Sequence, residues 1–147
     1  MQPIVRQLQE TDHQRAADIF YEVFGPDGVG EKWTKETSLS HIKENTFNST
    51  YNFYVEKEGK IVGILIAFPL SREEGADLFI DTIALIGSEQ RNGIGKMLWE
   101  KVEEVAKENK LNGIRLLANS NLDSFQWYKK MQLKETGWIE LYTPFKN

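Results

Sequence analysis

The chain has 147 residues, 40% of them hydrophobic and 12% aromatic, which suits a single domain with a substantial core and argues against disorder. Its formal charge is -4, from 18 basic and 22 acidic residues spread along the chain, so it lacks the clustered basic face of a nucleic-acid binder. A cationic small molecule or amine is electrostatically the better-matched partner. The absence of cysteine excludes disulfides, thiolate nucleophiles and cysteine-ligated metals, and His13 and His41, in separate segments without ligand spacing, predict no zinc or iron site.

The first residues, Met1 to Leu8, show no basic stretch running into an apolar one, and no segment approaches the roughly 20 apolar residues of a membrane span. A soluble, cytoplasmic protein without a membrane partner is the expectation. Pro3 to Leu8 alternates in the manner of a first strand, and Thr11 or Asp12 is placed to cap a helix carrying Ala16, Ile19, Phe20 and Phe24. Gly25-Pro26-Asp27-Gly28 ends that helix, and Thr34 starts a second one through Leu39 and Ile42 to about Asn45. Tyr51 to Glu56 and Lys60 to Phe68 are β-branched and aromatic runs joined by Lys57-Glu58-Gly59, a predicted hairpin. After a second turn at Ser71 to Gly75, Leu78 to Leu85 extends this to a three-strand meander, which departs from the strand–helix alternation of doubly wound folds. Met97, Leu98, Val102 and Val105 recur at helical spacing, Ile114 to Ala118 reads as a fifth strand, and Asp123 with Gln126 resembles a capping pair for a short helix. Trp138 to Tyr142 is the last predicted strand. No linker interrupts the series, so residues 1–147 are expected to form one domain.

Chemistry concentrates at Gln90-Arg91-Asn92-Gly93-Ile94-Gly95-Lys96, between the strand ending near Ile86 and the helix ending near Asn109. Gly93 and Gly95 permit a tight turn and a close approach, and the first amides of the following helix lack intrahelical partners. Phosphate or pyrophosphate oxygens are favoured at that positive end of the helix dipole. A glycine-rich turn with no ligand is the alternative reading. A P-loop would need Ser or Thr where Met97 stands, and a dinucleotide fingerprint a third glycine where Leu98 stands.

The order of elements and two separated motifs resemble the GNAT superfamily of acetyl-CoA-dependent N-acetyltransferases. Gln90-Arg91-Asn92-Gly93-Ile94-Gly95 satisfies the Gln/Arg-x-x-Gly-x-Gly/Ala pattern of that family, and Phe79 to Leu85 fits its preceding strand. Asn121, Ser124 and Tyr128 match a second pattern downstream. The resemblance covers roughly residues 61–133, with two departures: the Tyr-x-x-x-Gly-Phe continuation lacks its glycine, Gln132 standing there, and a proline frequent before the loop is Gly87. It implies an α+β fold of order β-α-α-β-β-β-α-β-α-β around a central, mostly antiparallel, splayed sheet.

The resemblance also implies acetyl-CoA as cosubstrate and no metal. Amides from Arg91 to Lys96 would hold the pyrophosphate, with polar contacts from Gln90 and Arg91. The pantetheine arm would follow Ile83, Ala84 and Leu85, where a main-chain amide polarises the thioester carbonyl. Tyr128 stands where relatives place the acid that protonates the departing thiolate, and a phenol of pKa about 10 is protonated beside a thiol near 8.5. An aromatic packed beside Trp127 is its ordinary alternative. Asn121 is a cofactor contact or a helix-start residue, with Ser124 beside it in the motif. Asp81, in an otherwise apolar strand and predicted to face with Phe79 and Ile83, is the first choice for the base, directly or through water, with Glu73, Glu74 and Glu140 in reserve. A solvated carboxylate or an ion-pair partner is the competing reading of Asp81. Tyr21, Trp33 and His41 would line the acceptor wall built by the first two helices.

The expected acceptor is a primary amine of a small molecule or peptide. A non-catalytic acyl-CoA sensor and a nucleotide-binding or structural domain are the rival readings. The family analogy also admits a homodimer formed through a sheet edge.

Overall fold

The computed structural model describes residues 2–145. Its contacts divide the chain into two units, Met1–Leu116 and Leu117–Asn147.

The first unit is built on a five-stranded sheet of β1 (Ile4–Gln7), β2 (Phe53–Lys57), β3 (Lys60–Arg72), β4 (Gly75–Leu85) and β5 (Ile114–Leu116), ordered 1-2-3-4-5. The first three pairings are antiparallel, and β4 with β5 is parallel. The β2–β3 hairpin turns on Glu58 (φ 53°) and Gly59 (φ 78°), two successive positive values that match the right-handed twist of the flanking strands.

Three helices flank this sheet: α1 (His13–Phe24), α2 (Lys35–Asn45) and α3 (Ile94–Glu108). Thr34 caps α2 as expected, its Oγ1 accepting from the Thr37 amide at 3.0 Å while the Thr37 hydroxyl accepts from the Thr34 amide at 2.9 Å. Asp12 precedes α1 but makes no side-chain cap bond to that helix. Its carboxylate instead accepts from the Gln9 amide and closes the preceding 3₁₀ turn, Glu10–Asp12.

Alternation along β3 separates two apolar layers. Ile64 and Ile66 pack with Ala16, Ala17 and Phe20 of α1 and Ile42 of α2, whereas Gly63, on the other face, lies against Ile94 at the start of α3. Ile42, Ile64, Ile66, Leu78, Ile94 and Leu98 are 0–1% exposed, and each such aliphatic side chain stabilises the fold by about 1.5–3 kcal/mol before entropy is counted.

In the second unit, α4 (Asp123–Lys130) carries the expected short helix. Leu122, not Asp123, occupies its N-cap, and no side-chain cap bond forms, so the Asp123–Gln126 capping pair is corrected. The strand expected at Trp138 to Tyr142 is also absent: the described residues after Leu133 hold no strand or helix. Trp138, Ile139, Leu141, Tyr142 and Phe145 are 79–91% exposed. Strand propensity becomes a strand only when a sheet edge accepts it, and among the described residues none pairs with this segment.

Candidate active site

β4 has two unlike edges. Along one, it pairs with β3 over its full length. Along the other, β5 meets it only at Leu78, Phe79 and Ile80. From Asp81 to Leu85 that second edge carries no strand among the described residues; Ile83 and Leu85 are partly exposed along this margin and Ala84 is buried. An extended amide-bearing chain could add there by strand-like hydrogen bonding.

The same strand is bulged at Asp81. Thr82 pairs with Ile66 and Ile80 with Ala67, leaving Asp81 without a partner on β3. One β3 face, Ile64, Ile66 and Phe68, therefore stands opposite Ala84, Thr82 and Phe79, and the simple alternation that grouped Asp81 with Phe79 and Ile83 is interrupted. A bulge bends a strand and re-aims its side chains.

Re-aimed in this way, the Asp81 carboxylate meets α2. Its Oδ2 lies 2.8 Å from His41 Nε2 and accepts from the Thr82 hydroxyl at 2.6 Å. Burial pushes the Asp81 carboxyl up, but hydrogen bonds from His41 and Thr82, with the charge of His41, outweigh it and leave it below the ordinary carboxylate range. An ionised carboxylate only accepts, so the shared proton resides on His41 Nε2. The imidazole packs between Phe20 (centroids 4.9 Å apart) and Trp33 (5.1 Å), and Phe20 and Trp33 meet edge to face at 4.7 Å. Of the three residues expected to line the acceptor wall, His41 and Trp33 join Asp81 in one cluster. Tyr21 does not, because the α1 ring that meets His41 is Phe20, one residue earlier, while the Tyr21 ring lies beside Gly25.

Beyond β4, a 3₁₀ turn at Gly87–Glu89 leads into α3. Gly93 sits at the N-cap with φ 82°, a left-handed conformation, and Arg91 is left-handed too at 74°. The first helical bond runs from Met97 to the Gly93 carbonyl, so the amides of Ile94, Gly95 and Lys96 precede the intrahelical ladder. No side chain caps this end, and no acid lies in its first turn, in contrast to the capped α2. A polyanion fits such a helix start. Gln90, Arg91, Asn92 and Lys96 are exposed around it, whereas Ile94 and Gly95 are buried, which leaves the last two to contribute through the main chain.

Glu89 is the one acid in the preceding 3₁₀ turn, and it is neutralised. Lys57 Nζ spans both its carboxylate oxygens at 3.1 and 3.2 Å, and Asn92 Nδ2 lies at 3.3 Å. Neither Lys57 nor Glu89 was singled out by sequence, because 32 positions separate them. The same holds for the His41–Asp81 pair, 40 positions apart, although a polar Asp-Thr step inside an apolar strand was a legible sign of irregularity.

In the second unit, Asn119 Oδ1 accepts the Asn121 amide at 2.9 Å just before α4, and the Asn121 and Ser124 side chains are exposed. Tyr128 lies on α4 with its ring 5.4 Å from that of Trp127. Burial pushes its phenol up to about 12. Among the described residues, no group of three histidine, cysteine, aspartate or glutamate side chains is arranged to hold a metal, and no helix is long and apolar enough to cross a membrane.

A mixed sheet whose β4 margin is unpaired beyond Ile80 thus leads into an uncapped helix start behind a glycine turn. The sequence model of the acetyltransferase (GNAT) family matches residues 9–132, and the chain belongs to that family. Solved structures agree in fold. An aminoglycoside acetyltransferase from an uncultured soil metagenomic sample, in complex with trehalose, superposes with a TM-score of 0.77 at 22% identity, over 98% of this chain and 97% of its own. Aminoglycoside N-acetyltransferase AAC(6')-Iy in complex with CoA gives 0.78 at 14% identity, over 97% and 95%. A ribosomal-protein-alanine N-acetyltransferase from Brucella melitensis biovar Abortus 2308 gives 0.74 at 14%, over 98% and 100%.

Proposed function

We propose that this acetyltransferase takes its acetyl group from acetyl-CoA and transfers it to a primary amine of a small molecule or peptide, by direct attack in a ternary complex. The observation that carries this reading is the open margin of β4 from Asp81 to Leu85, continuous with the uncapped start of α3. It suits a ligand with an extended amide arm at one end and a diphosphate at the other. CoA bound to a solved relative of the same fold supports the choice of carrier.

Bound acetyl-CoA would supply the activated acyl group. Amides of Ile94, Gly95 and Lys96 would hold its diphosphate, and main-chain groups of Ile83, Ala84 and Leu85 its arm. A free amide on that strand would stabilise charge developing on the thioester oxygen. Asp81, ionised and fixed at the head of the margin, would take the proton that leaves the attacking nitrogen as the new C–N bond forms. Tyr128 would give its phenolic proton to the sulfur as the C–S bond breaks. Acceptors as different as aminoglycosides and a ribosomal-protein alanine are consistent with the names of the structural relatives.

The test is thiol release from acetyl-CoA across a panel of polyamines, aminoglycosides and peptides, alongside titration calorimetry with CoA. Binding with turnover on at least one amine supports the proposal. Binding without turnover on any would leave the sensor reading, and no association at millimolar CoA would remove both.

A further inference from the structure

We infer that His41 is a positioning residue for Asp81, holding the carboxylate by Oδ2 so that Oδ1 alone is presented to the acceptor amine; the inference rests on the acetyl-transfer reading above. Three observations carry it. First, both hydrogen bonds to Asp81, from His41 Nε2 at 2.8 Å and Thr82 Oγ1 at 2.6 Å, fall on Oδ2, and among the described residues none falls on Oδ1. Second, Asp81 is the unpaired residue of a bulge, so the β3–β4 ladder does not by itself fix its side-chain direction. Third, the His41 ring is immobilised from behind. Phe20 and Trp33 pack against it, and Asn45, one turn along α2, donates to the His41 carbonyl at 2.9 Å with its amide nitrogen 3.4 Å from Nδ1.

The environment isolates this pair from other charges. α1 contributes the apolar Phe20, the segment before α2 contributes Trp33, and β3 sets Ile66 and Ala67 opposite the bulge. His41 is the titratable side chain in contact with the carboxylate, and Thr82 is an uncharged donor. Side chains of His41 and Asp81 are 23% and 18% exposed, so the pair is partly screened from water while its edge still meets solvent. The consequence is a division of labour within one carboxylate: Oδ2 is structural and Oδ1 is chemical.

The full chain, labelled with carboxyl-¹³C aspartate, tests this by NMR titration, with Asp81→Asn assigning the resonance. In the parent, Asp81 should titrate below a free aspartate. His41→Leu removes the donor while keeping bulk, and should move the titration up by about one pH unit or more. His41→Gln, whose amide nitrogen reaches the Nε2 position, should restore most of the shift. With the fastest amine of the panel, His41→Leu should lower kcat at least about tenfold with an unchanged KM for acetyl-CoA, and His41→Gln should recover part of it. An Asp81 titration unmoved in a folded His41→Leu protein overturns the inference. So does a kcat as high as the parent's in His41→Leu when Asp81→Asn is impaired. If no amine is acetylated yet the titration moves, the acetyl-transfer reading fails and the hold of His41 on Asp81 stands.

Discussion

Gly63 on β3 stands opposite Leu85, the last residue of β4, in the antiparallel ladder: a Cβ at position 63 would stand 2.8 Å from Leu85 Cδ2 and 3.0 Å from Ile94 Cγ2. The glycine lets the end of the open margin and the start of α3 close onto the sheet together. Gly63→Ala should displace both side chains, cost about 1–3 kcal/mol of stability and weaken CoA binding. Urea unfolding and calorimetry on the same variant read the two effects. Parent-like values for both would show that Leu85 and Ile94 can yield freely.

Gly93 presents a different case, because a Cβ there meets nothing within 4 Å. Its constraint is the φ of 82° alone. Gly93→Ala should therefore cost about 1–2 kcal/mol through the left-handed backbone, and Gly93→Asn distinctly less, since asparagine tolerates that region. The KM for acetyl-CoA should rise in the same order. Equal effects from alanine and asparagine would point to side-chain interference with the ligand.

Tyr128 makes a prediction about pH. With its phenol at about 12, Tyr128 stays protonated throughout the working range, so no fall in rate below about pH 11 should trace to its ionisation. Tyr128→Phe should slow thiol release by about 100-fold or more and leave any alkaline limb where it was. An unchanged turnover removes Tyr128 from the mechanism.

Asp81 also links stability to acid. Its folded value is depressed below the ordinary 3.8, so its contribution is present above that pH and is lost as pH falls through the folded value. Denaturant midpoints of the parent should drop more steeply than those of Asp81→Asn between about pH 5 and pH 2. Parallel curves would mean that other carboxylates dominate acid unfolding.

Phe20, 4% exposed and touching Phe24, Trp33 and His41, joins the core to the candidate site. Phe20→Ala should cost about 3–5 kcal/mol, and by loosening His41 it should lower kcat in the surviving folded protein. A thermal melt beside single-turnover kinetics separates the two losses.

Much of this was legible in one dimension. The hairpin at Lys57 to Gly59, the Thr34 cap, the glycine turn before α3 and the α3 stripe of Leu98 and Val102 are local patterns, each enforced within a few residues by backbone conformation or helical period. Chain order and the Gln90 to Gly95 motif together carried the family. Three local expectations failed for different reasons: the Asp12 carboxylate closed the preceding 3₁₀ turn instead of capping α1, Leu122 took the N-cap of α4, and the Trp138 to Tyr142 run formed no strand because a strand also needs an edge to join.

The sequence by itself determined the β2–β3 hairpin, the first three helices and the glycine turn that follows β4. Only the tertiary structure decided what Asp81 does. A single unpaired residue between Ile80 and Thr82 turned the carboxylate toward a histidine 40 positions away, and no period of two or of 3.6 encodes that meeting. Side-chain direction at a bulge is set by whatever packs above it, here α2, and that is a property of the assembled layers rather than of the strand.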